Sequence, residues 1–234
     1  MSNISLSKTS SQEKESRKTK GQTSRETILL TATKLATLKG LSGLSLADLA
    51  AEVGMSKSGL YAHFKDKEEL ELATIEMAIV IFDREVFQPA MEAPVGIERL
   101  RALANAFLSH LERRVFPGGC FFAAVTAELD TRPGSTHDRV AEVLDQWLSL
   151  LKQCLLDAQE RGEINSNTEV DQAVFEIEGM LLAANYLFVM ANNPIHLLQG
   201  RTGVENVLAR LVVNSESKQQ QSPRGTLSNI NVSP

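Results

Sequence analysis

The chain has 234 residues, with 24 Lys and Arg against 29 Asp and Glu, a net charge of −5 and a hydrophobic share of 43%. That length suits one or two domains with an ample core. Two cysteines, Cys120 and Cys154, without metal-ligand spacing, no secretory signal and no uninterrupted apolar run of membrane-spanning length predict a soluble cytoplasmic protein with reduced thiols, needing neither metal nor cofactor and contacting no membrane.

Residues 1–22 are rich in Ser, Thr, Lys and Gln and nearly free of apolar side chains, the composition of a disordered arm. Lys14, Arg17, Lys18, Lys20 and Arg25 form a basic cluster suited to phosphates or a neighbouring minor groove; a solvating tail has the same composition. Thr23-Ser-Arg-Glu26 reads as a capping box. It opens a first helix with Ile28, Ala32, Leu35 and Ala36 on one face, closing near Lys39-Gly40.

Ser45-Leu-Ala-Asp48 is a second capping box, followed by Leu46, Leu49, Ala50 and Val53 at helical spacing. Gly54 stands where a helix end needs positive φ. Met55 is the expected buried turn residue, and Ser56 can cap a further helix carrying Leu60, Tyr61 and Phe64. Helix, glycine turn and helix form a helix-turn-helix, whose second helix enters the DNA major groove. An ordinary helical hairpin shares this outline. The outward face of the second helix separates the two: Lys57, Ser58, Gly59, Tyr61 and His63 are small or hydrogen-bonding, and no acidic residue occurs from Met55 to Lys65.

Asp66-Lys-Glu-Glu69 caps a fourth helix with Leu70, Leu72, Ala73, Ile75, Met77, Ile79 and Phe82. It is expected to run to about Phe87, link the DNA-binding unit to the body, and be broken over Gln88–Pro94 by Pro89 and Pro94. Charge divides at this point. Residues 1–70 hold 11 Lys and Arg against 8 Asp and Glu, and the remainder 13 against 21, so a cationic end meets phosphate while the acidic body stays off it.

The body reads as amphipathic helices. One spans Val95–Val115, with a break at Pro117-Gly118-Gly119, and a compact apolar helix runs from Cys120 to near Thr131. Ser135-Thr-His-Asp138 is a capping box for a long helix to Arg161-Gly162, and Thr168-Glu-Val-Asp171 caps another ending before Asn192-Asn193-Pro194. A last short helix covers roughly 203–213. A polar tail follows from Asn214. No segment alternates with period two, so the fold class is all-α.

The ordered set Gly43-Leu-Ser-Leu-Ala-Asp-Leu-Ala50, Val53-Gly-Met-Ser56, Leu60-Tyr-Ala-His-Phe64 and Lys65-Asp-Lys-Glu-Glu-Leu70 resembles the N-terminal domain of the TetR (tetracycline-repressor) family over about residues 24–75. Two positions depart from it: Ala36 replaces a larger aromatic, which implies local repacking, and Ala62 a common His or aromatic, which implies one DNA contact fewer. The resemblance implies a disordered arm over 1–22, a three-helix DNA-binding domain over 23–70, an effector-binding and dimerisation domain over 71–213 and a disordered tail over 214–234. It implies that Ser45 and Ser56 cap helices beside phosphates, that Lys57, Ser58 and Gly59 face base edges, that Tyr61 and His63 contact the DNA backbone, and that Lys67 lies near a phosphate. It implies a homodimer on a double-stranded, pseudo-palindromic operator, paired through its last two long helices. The breadth of the apolar surface at 135–161 and 168–192 agrees.

A cavity for a small-molecule effector is expected between body helices. Phe107, His110, Phe121, Phe122, Trp147, Met180, Tyr186 and Phe188 are candidate walls, with Glu128, Glu176, Glu178 and Asn185 as polar groups; taken singly, each wall residue reads as plain core before ligand contact. Binding there would lower operator affinity by its differential affinity for two states, with the fourth helix swinging. Cys120, after two glycines at a helix start, is a candidate low-pKa thiol sensor. The function expected is a ligand-responsive repressor. Activation, a thiol-responsive regulator and a helical interaction module stay open, whereas no motif supports an enzyme.

Overall fold

The computed structural model describes residues 20–212. Most of the basic arm and the tail after Val212, including the expectations placed on them, lie outside the described residues. Ten α-helices and one π turn occur among those residues, and the one β-type pairing is an isolated bridge between Ile164 and Val212.

Helix α1 (Lys20–Lys39) begins three residues before Thr23, so the capping box expected there is not its start. A cap is a weak local signal, overridden where the chain before it also accepts helical geometry. Arg25, grouped by sequence with the basic cluster of the arm, lies over the Phe64 ring at 4.9 Å and 3.7 Å from Glu69. In α2 (Leu46–Glu52) the Ser45 hydroxyl accepts the Asp48 amide at 2.9 Å, while the Asp48 carboxylate pairs with Lys39 at 3.7 Å. Gly54 takes φ +67, the left-handed geometry that closes α2.

Helix α3 (Lys57–Tyr61) starts on Ser56, whose hydroxyl accepts the Gly59 amide at 3.1 Å. It stops at Tyr61 rather than reaching Phe64, because the chain turns there to bury Phe64. Met55 is half-buried rather than buried. Helix α4 (Lys67–Phe82) is capped as expected: Asp66 accepts the Glu69 amide and Glu69 accepts the Lys65 amide, both at 2.8 Å.

Pro89 does not break the helical path. A π turn (Asp83–Phe87) follows α4 and leads into α5 (Gln88–Met91) with Pro89 in its first turn. The wider turn relieves the clash between the pyrrolidine ring and the carbonyl four residues back, and the missing N–H falls where the bonding pattern already shifts. It also brings Phe82 and Phe87, five residues apart, edge-to-face at 5.3 Å.

The body comprises α6 (Ile97–Glu112), α7 (Phe121–Leu129), α8 (Ser135–Glu160), α9 (Val170–Ala191) and α10 (Ile195–Leu211). Two expected caps are absent. Gly134 precedes α8, and the Ser135 hydroxyl instead donates to Glu68 of α4; Glu169, not Thr168, precedes α9. The last helix is longer than expected because Pro194 starts it, a role that suits a residue without an N–H. Helix α9 is long and apolar enough to cross a membrane by length and composition alone, although Asp171, Glu176 and Glu178 interrupt its apolar run. One of its sides packs into the body through Ile177, Leu181, Ala184 and Phe188.

Two apolar clusters result. The N-terminal one joins Ile28, Leu49, Leu60, Phe64 and Ile75 to Phe116, Phe121, Val125 and Leu129 around α7. The other centres on Leu100, Phe107, Trp147, Leu151 and Leu181. Where Ala36 departs from the family pattern, the α6–α7 loop passes close to the end of α1: a Cβ on Gly118 would lie 2.0 Å from the Thr37 carbonyl oxygen, and the Gly118 amide donates to Thr37 Oγ1 at 3.1 Å.

Candidate functional site

Two surfaces carry chemistry. The first is α3 with its flanks. Lys57, Ser58 and Tyr61 are exposed, Tyr61 by 55%, and Gly59 and His63 are half-buried. Ser56 Oγ and Ser58 Oγ lie 3.1 Å apart, and a Cβ on Gly59 would come within 3.2 Å of Ser56 Oγ. The hydroxyls of Ser45 and Ser56 are occupied as caps, each retaining a proton to donate. Lys67 does not point freely outward: its ammonium donates to the Ser42 carbonyl and lies 3.5 Å from Glu71. Ala62 is exposed and offers no polar group where the family pattern usually has one.

The second is a cavity of about 100 Å³ among α4, the π turn, α6, α7, α8 and α9. Of the eight candidate walls, Phe107, Phe122, Trp147 and Tyr186 line it. The other four do not. Phe121 is buried in the N-terminal cluster, and Phe188 is buried under the Arg114 guanidinium, 4.8 Å from its ring. Met180 lies on the outer side of α9 against Gly203. His110 is buried behind the lining Phe82 ring, with neither ring nitrogen hydrogen-bonded; burial pushes its pKa down to about 4.

Phe82, Phe87, Val143, Leu144 and Leu182 line the cavity without having been singled out in the sequence. Helical periodicity identified some as apolar, yet only the π turn and the helix crossings decide which of two clusters each faces. Trp147 is held between aromatic neighbours, with Phe87 and Phe107 stacked on it at 6.0 and 6.1 Å.

Among the four polar candidates, Glu178 alone reaches the cavity. It accepts the Trp147 indole N–H at 2.7 Å, and burial raises its pKa against that bond. Glu176 pairs with Arg210 outside. Asn185 accepts the Cys120 amide at 2.8 Å. Glu128 accepts the Leu41 and Ser42 amides at 2.6 and 2.8 Å. Cys120 also lines the cavity, but burial pushes its thiol up to about 11. This overturns the expected low-pKa thiol: desolvation outweighs the backbone amides at the start of α7.

A solvent-facing stripe on α9 completes the inventory. Phe175, Gly179, Ala183, Tyr186, Leu187 and Met190 are exposed, with Phe175 at 74% and Met190 at 87%. They recur at three- and four-residue spacing and so form one face.

Residues 28–74 match the family model described as bacterial regulatory proteins, tetR family, and residues 96–204 match the tetracyclin repressor-like C-terminal domain. The HTH-type transcriptional repressor DhaR of Mycobacterium sp. is 23% identical over 133 residues, covering 57% of this chain and 66% of DhaR. The transcriptional regulator AcuR of Cereibacter sphaeroides is 25% identical over 165 residues, covering 68% of this chain and 74% of AcuR. A TetR transcriptional regulator from Chloroflexus aurantiacus superposes with a TM-score of 0.77 at 25% identity, covering 82% of this chain and 98% of that one. AibR, solved with isovaleryl coenzyme A and operator DNA, superposes with a TM-score of 0.63 at 23% identity, covering 81% and 98%.

Proposed function

Because the chain belongs to the TetR family of bacterial DNA-binding transcriptional regulators, we propose that it is a cytoplasmic homodimeric repressor, released from a pseudo-palindromic operator by a small-molecule effector. Binding rather than catalysis is the activity assigned. The observation that carries this reading is the short path from cavity to DNA-binding unit along α7. Phe122, Ala123 and Thr126 line the cavity, and Glu128, two residues after Thr126, holds the turn between α1 and α2 by two amides. A ligand that moves α7 therefore moves the support of the recognition helix α3.

The roles of individual residues belong to the same proposal. Lys57 reads base edges, Gly59 admits close approach, and Ser56, Ser58, Tyr61 and His63 donate to phosphates. Lys67 reaches a phosphate only on leaving Ser42. The α9 stripe is the dimer seam: an apolar band on an outer helix face is costly in water and is covered when two copies pair about a two-fold axis. Gly179 and Ala183, four residues apart, let the paired helices approach closely.

A salt titration of binding to DNA from the protein's own upstream region, beside a scrambled fragment, tests this function. The expected result is preference for the native fragment with a steep loss of affinity as salt rises. Absence of binding to either fragment at low salt would overturn the DNA-binding assignment.

A further inference from the structure

The cavity has an unusual combination of walls. Among the described residues six aromatic rings, Phe82, Phe87, Phe107, Phe122, Trp147 and Tyr186, surround a single carboxyl, Glu178, and no Lys, Arg or His lines the space. Among the described residues the only hydrogen bond to Glu178 is the 2.7 Å one from Trp147 Nε1. On the outer side of Glu178, Lys152 is already paired with Asp171 at 2.7 Å and Asp145 adds a second negative charge. Among the described residues no cation is paired with the Glu178 carboxylate.

A half-buried anion without a counter-charge is costly. An apolar ligand would deepen its desolvation, and an anionic ligand would set like charges together. A cation satisfies both kinds of wall, because aromatic faces carry the negative lobe of the ring quadrupole and attract ammonium groups. Size sets an upper bound: an apolar cavity of roughly 150 Å³ holds benzene, so about 100 Å³ leaves room for no more than a single ring, with its ammonium at the half-buried Glu178.

We infer that this cavity binds a small aromatic or alicyclic amine, its ammonium against Glu178 and its ring among the phenylalanines. The inference rests on the cavity's being the effector site of the proposed repressor, and it names the effector's chemical class. Binding replaces, with a ligand charge, the proton that burial encourages Glu178 to hold.

Trp147 is the single tryptophan of the chain, so its emission reports on this cavity without DNA. The full chain is titrated with benzylamine, benzyl alcohol and benzoate at neutral pH. Benzylamine is expected to bind at least roughly tenfold more tightly than either, and Glu178→Gln, which keeps an acceptor for the indole, is expected to bring it level with the alcohol. Phe107→Leu is a second variant, expected to weaken benzylamine more than the alcohol should Glu178→Gln fold poorly. Equal affinities in the unmodified chain, a preference for benzoate, or no response to benzylamine each overturn the inference. Operator binding without probe is measured separately. Its persistence alongside failed amine binding removes the ligand class alone, and its loss counts against the repressor reading.

Discussion

Glu128 Oε2 accepts the Leu41 amide at 2.6 Å, and Oε1 accepts the Ser42 amide at 2.8 Å, so the end of α7 grips the turn between α1 and α2. Burial works against this carboxylate, yet the hydrogen bonds from Ser42 and Leu41 outweigh it and hold its pKa below the ordinary value. The stabilisation is complete above the ordinary carboxylate pKa and is lost as pH falls through the lowered one. Glu128→Ala is expected to cost about 1–3 kcal/mol at pH 7 and progressively less in acid. Urea denaturation at both ends of that range checks it. In the proposed repressor the same variant keeps effector binding but weakens the release of DNA.

Substitution of α3 separates base reading from anchoring. Lys57→Ala is expected to lose about 1–3 kcal/mol on the preferred operator and to relax discrimination at one base pair. Tyr61→Phe is expected to lose less, and equally on all sequences. Both side chains are exposed, so thermal melting should not move. A large fall in melting temperature for either would mark the residue as structural instead.

The seam proposed on α9 predicts a change of mass. Leu187→Glu with Met190→Glu introduces two carboxylates into the exposed stripe without touching the buried face. Sedimentation should show a monomer in place of a dimer, with operator affinity down by roughly a hundredfold because each half-site then binds alone. An unchanged dimer would place the interface elsewhere.

Cys120 should be inert in the native state. With the thiol pushed up to about 11, alkylation by iodoacetamide at pH 7.5 is expected to run at least roughly a hundredfold slower than for a free cysteine. Cys154, buried and likewise at about 11, should behave alike. Rapid adduct formation at Cys120, located by mass spectrometry, would restore a thiol-responsive mechanism.

His110 adds a second loss of stability in acid, at higher pH than that of Glu128. Its folded pKa of about 4 lies below the ordinary 6.5, so the unfolded chain takes up the proton first. Stability is complete above pH 6.5 and falls by about 2 kcal/mol between pH 7 and pH 5 from this residue alone. His110→Leu should abolish that share of the slope, measured as the difference between denaturation curves at the two pH values. The variant also removes two unpartnered ring nitrogens.

The N-terminal unit was largely legible because its signals are local. Ser45, Gly54, Ser56 and Asp66 each act within three or four residues of themselves, so spacing alone positions α2, α3 and the start of α4. The body was legible as helices but not as faces. His110, Phe121 and Phe188 sit at apolar spacing as convincingly as Phe107 does, and nothing along the chain says which cluster each will join. Ser135 and Thr168 failed as caps because other geometry prevailed: Ser135 serves Glu68 across the interface with α4, and α9 begins two residues after Thr168. The inward reach of Glu178 also depends on how α9 crosses α8, which distance in sequence does not encode.

The turn at Asp83–Phe87 gives this region an asymmetric tolerance to changes in length. In an unbroken α-helix, residues five apart point about 140° away from each other, and Phe82 and Phe87 could not share a wall. Deleting one residue between them would leave the rings four apart, about 40° from each other on one face of a regular helix, but would remove the wide turn that accommodates Pro89. A lost codon here therefore keeps the aromatic pair at the expense of the path through Pro89, whereas a gained codon turns Phe87 away from Phe82.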